Sequence, residues 1–106
     1  MTAALINVPK KARNGDIIEI KTLTSHVMET GYRHTPRGEV IPRDIITSFT
    51  CRFEGDEIFH ADFFPATAAN PFLSFFTTAT KSGKFDFEWI GDNGFSQTAS
   101  ASITVE

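Results

Sequence analysis

Few side chains in this chain could do chemistry: three histidines, His26, His34 and His60, and one cysteine, Cys51. Imidazole and thiolate are common ligands for zinc, copper and iron, and a metal site needs three or four of them converging. The pattern around them argues against convergence. Cys51 alternates onto the apolar face of the stretch from Ile45 to Phe53, while His60 alternates onto the polar face of the stretch that follows, so the two point opposite ways. An inward-facing thiol stays protonated and shielded, whereas a catalytic thiol needs an electropositive, partly open setting. No Ser-His-Asp spacing, glycine-rich phosphate loop or carboxylate pair stands out, and Glu57 and Asp62 read as outward strand charges. The expectation is no catalytic residue, no cofactor and no metal, with a small His/Cys metal- or redox-binding β-sandwich as the alternative.

A second concentration lies from His26 to Arg43, HVMETGYRHTPRGEVIPR, which holds two of the histidines, the only tyrosine, three arginines and two prolines. A structureless loop of that length is rare in a small domain, so the stretch is expected to be ordered. An extended hairpin fits it, with Val27 to Arg33 going out, Thr35-Pro36-Arg37-Gly38 turning, and Glu39 to Ile45 returning. Arg33, Arg37 and Arg43 are offset by Glu29, Glu39 and Asp44, a pattern of specific pairing and not of a bulk anion trap.

The elements that must position this hairpin are strands. Ile18 and Ile20 alternate with Glu19 and Lys21 within Asp16 to Leu23, and Phe85, Phe87 and Trp89 alternate with Asp86 and Glu88. Ile58 to Phe64 places Phe59, Ala61 and Phe63 opposite His60 and Asp62. From Phe95 to Val105, Ala99, Ala101, Ile103 and Val105 face away from a ladder of hydroxyls. Ala4 to Val8, ended by Pro9, reads as an edge strand. Lys10, Lys11 and Arg13 read as a solvated loop leading to the Asn14-Gly15 turn. Phe72 to Ala79 carries bulky residues on both faces, and its surplus apolar face must meet something. About seven short strands, turn signals between them and no helical periodicity predict an all-β fold: an immunoglobulin-like antiparallel β-sandwich, one domain over residues 1–106, with a projecting hairpin.

Composition narrows the partners. Net charge is −3 and the sequence pI is near 5.5, which gives no positive field for nucleic acid or an anionic membrane. No apolar run approaches the roughly twenty residues of a membrane-spanning helix. MTAALINVPKKAR places its basic residues after its apolar ones, the reverse of a secretory signal, so no signal of its own is expected. Eleven phenylalanines against one tryptophan and one tyrosine predict a core built on phenylalanine.

In order along the chain, NGDIIEIKTL, SHVMETGYR, the G-E-V-IPRDII run, FTCRFEGDEIF, ADFFPATAANPFLSFF and GKFDFEWIGDNG resemble the SoxZ family, one half of the SoxYZ carrier of bacterial thiosulfate oxidation. The resemblance spans almost the whole chain. It implies a heterodimer with SoxY, whose glycine-rich C-terminal arm carries the sulfur substrate on a cysteine, and transient contact with other Sox enzymes. This chain ends Ser102-Ile103-Thr104-Val105-Glu106 and its only cysteine lies mid-strand, so it resembles the non-carrying half. The resemblance also implies a periplasmic location by co-export with a signal-bearing partner. The expected partner-binding residues are Met28, Glu29, Tyr32, Arg33 and Arg43 in the hairpin, with Pro71, Phe72 and Phe76 as a second group, because arginine and aromatic residues carry much of the energy at interfaces. A free-standing adhesion or structural module is the third class considered.

Overall fold

The computed structural model describes residues 4–106, which form eight strands in two facing sheets. The first three residues of MTAALINVPKKAR lie outside the described residues. In chain order the strands are β1 (Ala4–Asn7), β2 (Lys11–Ala12), β3 (Ile17–Thr24), β4 (Ile46–Phe53), β5 (Asp56–Asp62), β6 (Phe72–Thr78), β7 (Gly83–Gly91) and β8 (Ser96–Val105). One sheet runs β1-β3-β6, and the other runs β2-β8-β7-β4-β5. All pairings are antiparallel except β2 with β8. This is the immunoglobulin-like sandwich that the alternation predicts. No helix among the described residues is long and apolar enough to cross a membrane.

The two departures from expectation have local causes. The basic segment Lys10 to Arg13 is not simply a loop, because Thr104 N–H donates to the Lys10 carbonyl (2.9 Å) and Glu106 N–H to that of Ala12 (2.9 Å). Pro9 lets the chain leave one sheet edge and join the other. In β4 the register shifts between Ile46 and Ser48. That bulge breaks the strict alternation, so Ile45 and Ile46 are both buried, at 1% and 0% exposure, while Thr47 is displaced to donate its hydroxyl to the Ile90 carbonyl.

Between the sheets sits the aromatic core that the composition implies. Phe49 on β4 is completely buried and meets Trp89 at 5.1 Å, Phe87 at 6.2 Å and, across the sandwich, Phe75 at 6.2 Å between ring centroids. Phe59 stacks on Phe75 at 4.3 Å and 3°, joining the edge strands β5 and β6 of opposite sheets. Cys51 fills space between these rings at 0% exposure. The hydroxyls of Thr22 and Thr24 are buried without a hydrogen-bond partner, an unfavourable feature of the inner face of β3.

The chain is longer than a sandwich alone. Its extents are 60 × 21 × 20 Å and its radius of gyration is 16.3 Å, against roughly 13 Å for a compact chain of this size. Even β8, ten residues long, spans only about 33 Å. The additional length is supplied by the hairpin between β3 and β4. Truncating the central ring, Phe49→Ala, should lower the unfolding free energy in urea by about 3–5 kcal/mol. A loss under about 1 kcal/mol would show that Phe49 is not the inter-sheet centre.

Candidate functional site

The inward alternation of β3 does not stop where the strand stops. Ile18, Ile20, Thr22 and Thr24 face the core, and so do His26 at 8% and Met28 at 4% exposure. The hairpin therefore grows directly out of the core face of β3. The His26 Nδ1 accepts a hydrogen bond from the Met28 N–H (3.0 Å), which places the hydrogen of the neutral ring on Nε2, 3.7 Å from Asp44 Oδ1. The Nδ1 bond ties the ring to the hairpin base, and the ring packs on Phe95 at 4.8 Å between centroids. Met28 adopts φ 52°, uncommon for a residue with a side chain, and its sulfur accepts from the Ile46 N–H at 3.2 Å. Asn70 completes the node: its Oδ1 accepts from the His26 N–H (2.9 Å) and its own N–H donates to the His26 carbonyl (2.7 Å).

Above this base the limbs pair through Glu29 and Asp44, each donating its N–H to the other's carbonyl at 2.8 and 2.9 Å, and higher up through Arg33 and Ile41 at 2.8 Å. The turn falls where the sequence places it. Gly38 N–H closes on the Thr35 carbonyl (2.9 Å) with Gly38 at φ 86°. Gly31 has φ 89°, and a Cβ there would lie 3.0 Å from that of Arg43 on the opposing limb. Only glycine fits both demands.

Two of the hairpin's three arginines are paired within the chain, whereas the expected offset of Arg37 by Glu39 does not form an ion pair among the described residues. Arg33 reaches Glu29 with Nη2–Oε1 at 2.7 Å, as the sequence pattern implies. Arg43 pairs not with Asp44 but with Asp92, forty-nine residues away, through two parallel bonds of 2.8 Å. Asp92 also accepts from the Ile45 N–H (3.1 Å), and its own N–H donates to the Ile45 carbonyl (2.9 Å). The Arg43 fork holds the Asp92 carboxyl below its ordinary range, and the Ile45 N–H adds to the effect. The Arg33 guanidinium does the same for Glu29.

Of the expected contact residues, Tyr32 is 79% exposed and Arg33 and Arg43 lie at the surface, while Glu29 is half-buried beneath Arg33. Met28 is placed differently: its side chain is sealed in the core and supports the hairpin from inside. Pro71 is likewise buried, whereas Phe72 and Phe76 stand exposed on the outer face of β6. The structure does not gather these residues into one patch; they divide between the hairpin and that sheet face. Asn70, Asp92 and the anchoring role of His26 escaped the sequence reading. The one available signal was Asn70 itself, because asparagine is enriched among the non-glycine residues that adopt positive φ, and Asn70 takes 53°.

The potential ligands remain apart. His60 lies between the Thr50 hydroxyl (3.0 Å) and Asp62 (2.9 Å) on the outer face, while Cys51 points inward. No group of three or more His, Cys, Asp or Glu is placed to hold a metal among the described residues. Burial, with a smaller contribution from Asp86, pushes the Cys51 thiol up to about 12.

Two facing antiparallel sheets with a hairpin mounted between β3 and β4 place the chain among the immunoglobulin-like β-sandwich proteins. The family described as Sulphur oxidation protein SoxZ matches residues 6–102, nearly the whole chain, and the chain belongs to it. Among solved structures it is similar to the sulfur carrier protein SoxY from Chlorobium limicola f thiosulfatophilum, with a TM-score of 0.69 and 17% identity over 98% of this chain and 79% of that one. A superoxide reductase (neelaredoxin) from Ignicoccus hospitalis aligns with a TM-score of 0.77 and 18% identity over 97% of this chain and 80% of that one. A CARDB domain of Pyrococcus furiosus, solved with di-metal ions, aligns at 0.60 and 14% over 100% of this chain and 88% of that one. At these identities the likeness is one of fold. None of the curated protein sequences matches.

Asp92→Asn keeps the shape of the side chain and removes its charge, so it should lower the melting temperature at pH 7. Because the folded carboxyl titrates below its unfolded value near 4, the deficit should persist down to about pH 5 and close as pH falls through the lowered value. An undiminished deficit at pH 2 would contradict this role. Cys51 should resist alkylation in the native protein and react fully in denaturant; rapid labelling of the folded chain would contradict its burial.

Proposed function

We propose that this chain is the non-carrying subunit of a SoxYZ-type heterodimer in thiosulfate oxidation. It binds a SoxY-type partner and helps present the sulfur substrate on that partner's cysteine to the enzymes of the pathway. The carrying observation is the sealed thiol of Cys51 in a chain of the SoxZ family. A substrate bound covalently needs a reachable thiolate, and this one is enclosed by aromatic rings and kept protonated. The role left to such a subunit is recognition and not chemistry.

The hairpin supports that role. A projecting element with Arg33 and Arg43 held in fixed pairs and Tyr32 exposed offers a preorganised surface, which binds with less loss of conformational freedom than a mobile loop. Residues 1–106 are taken as one SoxZ-like domain, without catalytic residues or cofactor. The proposed location is the periplasm, reached in complex with a partner that carries the export signal.

Co-expression with a SoxY-type protein should give a stable one-to-one complex. After exposure to the thiosulfate-loading enzymes, intact-mass analysis should find the sulfur adduct on the partner and none on this chain. An adduct on Cys51, or failure of the two chains to associate, would refute the reading.

A further inference from the structure

Three connections meet at one end of the sandwich: the hairpin base, the β5–β6 connection with Asn70, and the β7–β8 turn from Asp92 to Phe95. Between them lies a cleft of about 430 Å³, with His26, Asp44, Asn70, Asn93 and Phe95 among its walls. That volume falls within the range of small-molecule sites. One buried group is left over in it. The His26 side chain is only 5% exposed, and its Nδ1 is taken by the Met28 N–H, so the ring turns an Nε2–H donor toward the cleft. No acceptor among the described residues lies within hydrogen-bonding range of that donor; Asp44 Oδ1, the carboxylate it faces, is 3.7 Å away.

Asp44 is placed to complement it. Its side chain is 41% exposed, and Arg43 bypasses it for Asp92. A donor and an acceptor therefore face each other across a gap too wide to close directly, yet wide enough for one oxygen atom standing about 2.8 Å from both. That oxygen must accept from the imidazole and donate to the carboxylate. Ammonium and guanidinium groups offer no lone pair to the Nε2–H. Carboxylates and sulfur oxyanions have no hydrogen to give, and they are repelled by Asp44 and Asp92, which Arg43 alone offsets. A hydroxyl meets both demands through a single atom. The other walls extend the same chemistry, because Asn70 and Asn93 bring amide groups and half-buried Phe95 brings an apolar surface.

We propose that this cleft binds a neutral polyhydroxylated ligand, a sugar ring. One hydroxyl bridges His26 and Asp44, neighbouring hydroxyls meet the Asn70 and Asn93 amides, and the C–H face of the ring lies against Phe95. The cleft has room for such a ring, and a buried donor left without an acceptor is a cost that the bound hydroxyl removes. The site is separate from the handling of sulfur, whose oxyanions it disfavours, and it stands whether or not the heterodimer forms.

The test is an NMR titration of the full chain with methyl α-glucopyranoside and with N-acetylglucosamine. At least one sugar should give saturable shifts at the backbone amides of His26, Asp44 and Asn93. Asp44→Ala leaves the backbone pairing with Glu29 in place and should keep the melting temperature near that of the parent chain. It should weaken sugar affinity at least about tenfold, the size of one hydrogen bond to a charged group. Lys84→Ala, on the outer face of β7, should change neither. No saturation by either sugar below about 0.1 M, or equal affinity in Asp44→Ala, would overturn the proposal. Saturation of the same amides by thiosulfate and by neither sugar would overturn it in favour of an anion site. The sugar should still bind in the complex with a SoxY-type partner; its exclusion there would overturn the site in favour of a partner residue as the occupant.

Discussion

One carboxylate joins the parts of this molecule that matter most. Asp92 sits in the turn between β7 and β8, yet it grips Arg43 and the Ile45 N–H, where the returning limb of the hairpin enters β4. The same turn donates its own backbone hydrogen to Ile45. Gly91 permits this approach, because a Cβ there would lie 2.6 Å from the Ile45 carbonyl oxygen. Without these contacts the limb would be tethered mainly through its pairing with Val27 to Arg33 and would lose its fixed direction.

The other limb is anchored by different means. His26 acts as a two-sided spacer, accepting from Met28 through one nitrogen and facing Asp44 with the other. Met28 then reaches inward to Ile46. Both limbs therefore converge on residues 44–46, and the bulge that buries Ile45 and Ile46 together provides the seat. The irregularity in β4 is what allows a hairpin to be mounted on a sandwich.

Strands with one wet and one dry face were legible from sequence because their period of two is written in chemically opposite residues, as in Phe85 to Trp89 and Ala99 to Val105. The inward course of His26 and Met28 was hidden because the positions continuing that period are Thr22 and Thr24, which look polar. The bulge at Thr47 was hidden because it changes phase without changing composition. The partnership of Arg43 with Asp92 could not be read at all: Asp44 is adjacent in sequence, and only the folded turn brings the more distant acid closer. Of the hairpin, the turn and the Arg33 pairing were visible locally, whereas its anchorage depended on contacts made across the fold.

The enclosure of Cys51 has a consequence for the company this chain can keep. Thiol–disulfide exchange requires a thiolate and a line of attack on sulfur, and this residue offers neither. A thiol enclosed in this way is shielded from mixed-disulfide formation even when a reactive sulfur lies close by. In the proposed heterodimer, such orthogonality would let two proteins share an intimate surface while only one of them takes part in sulfur traffic.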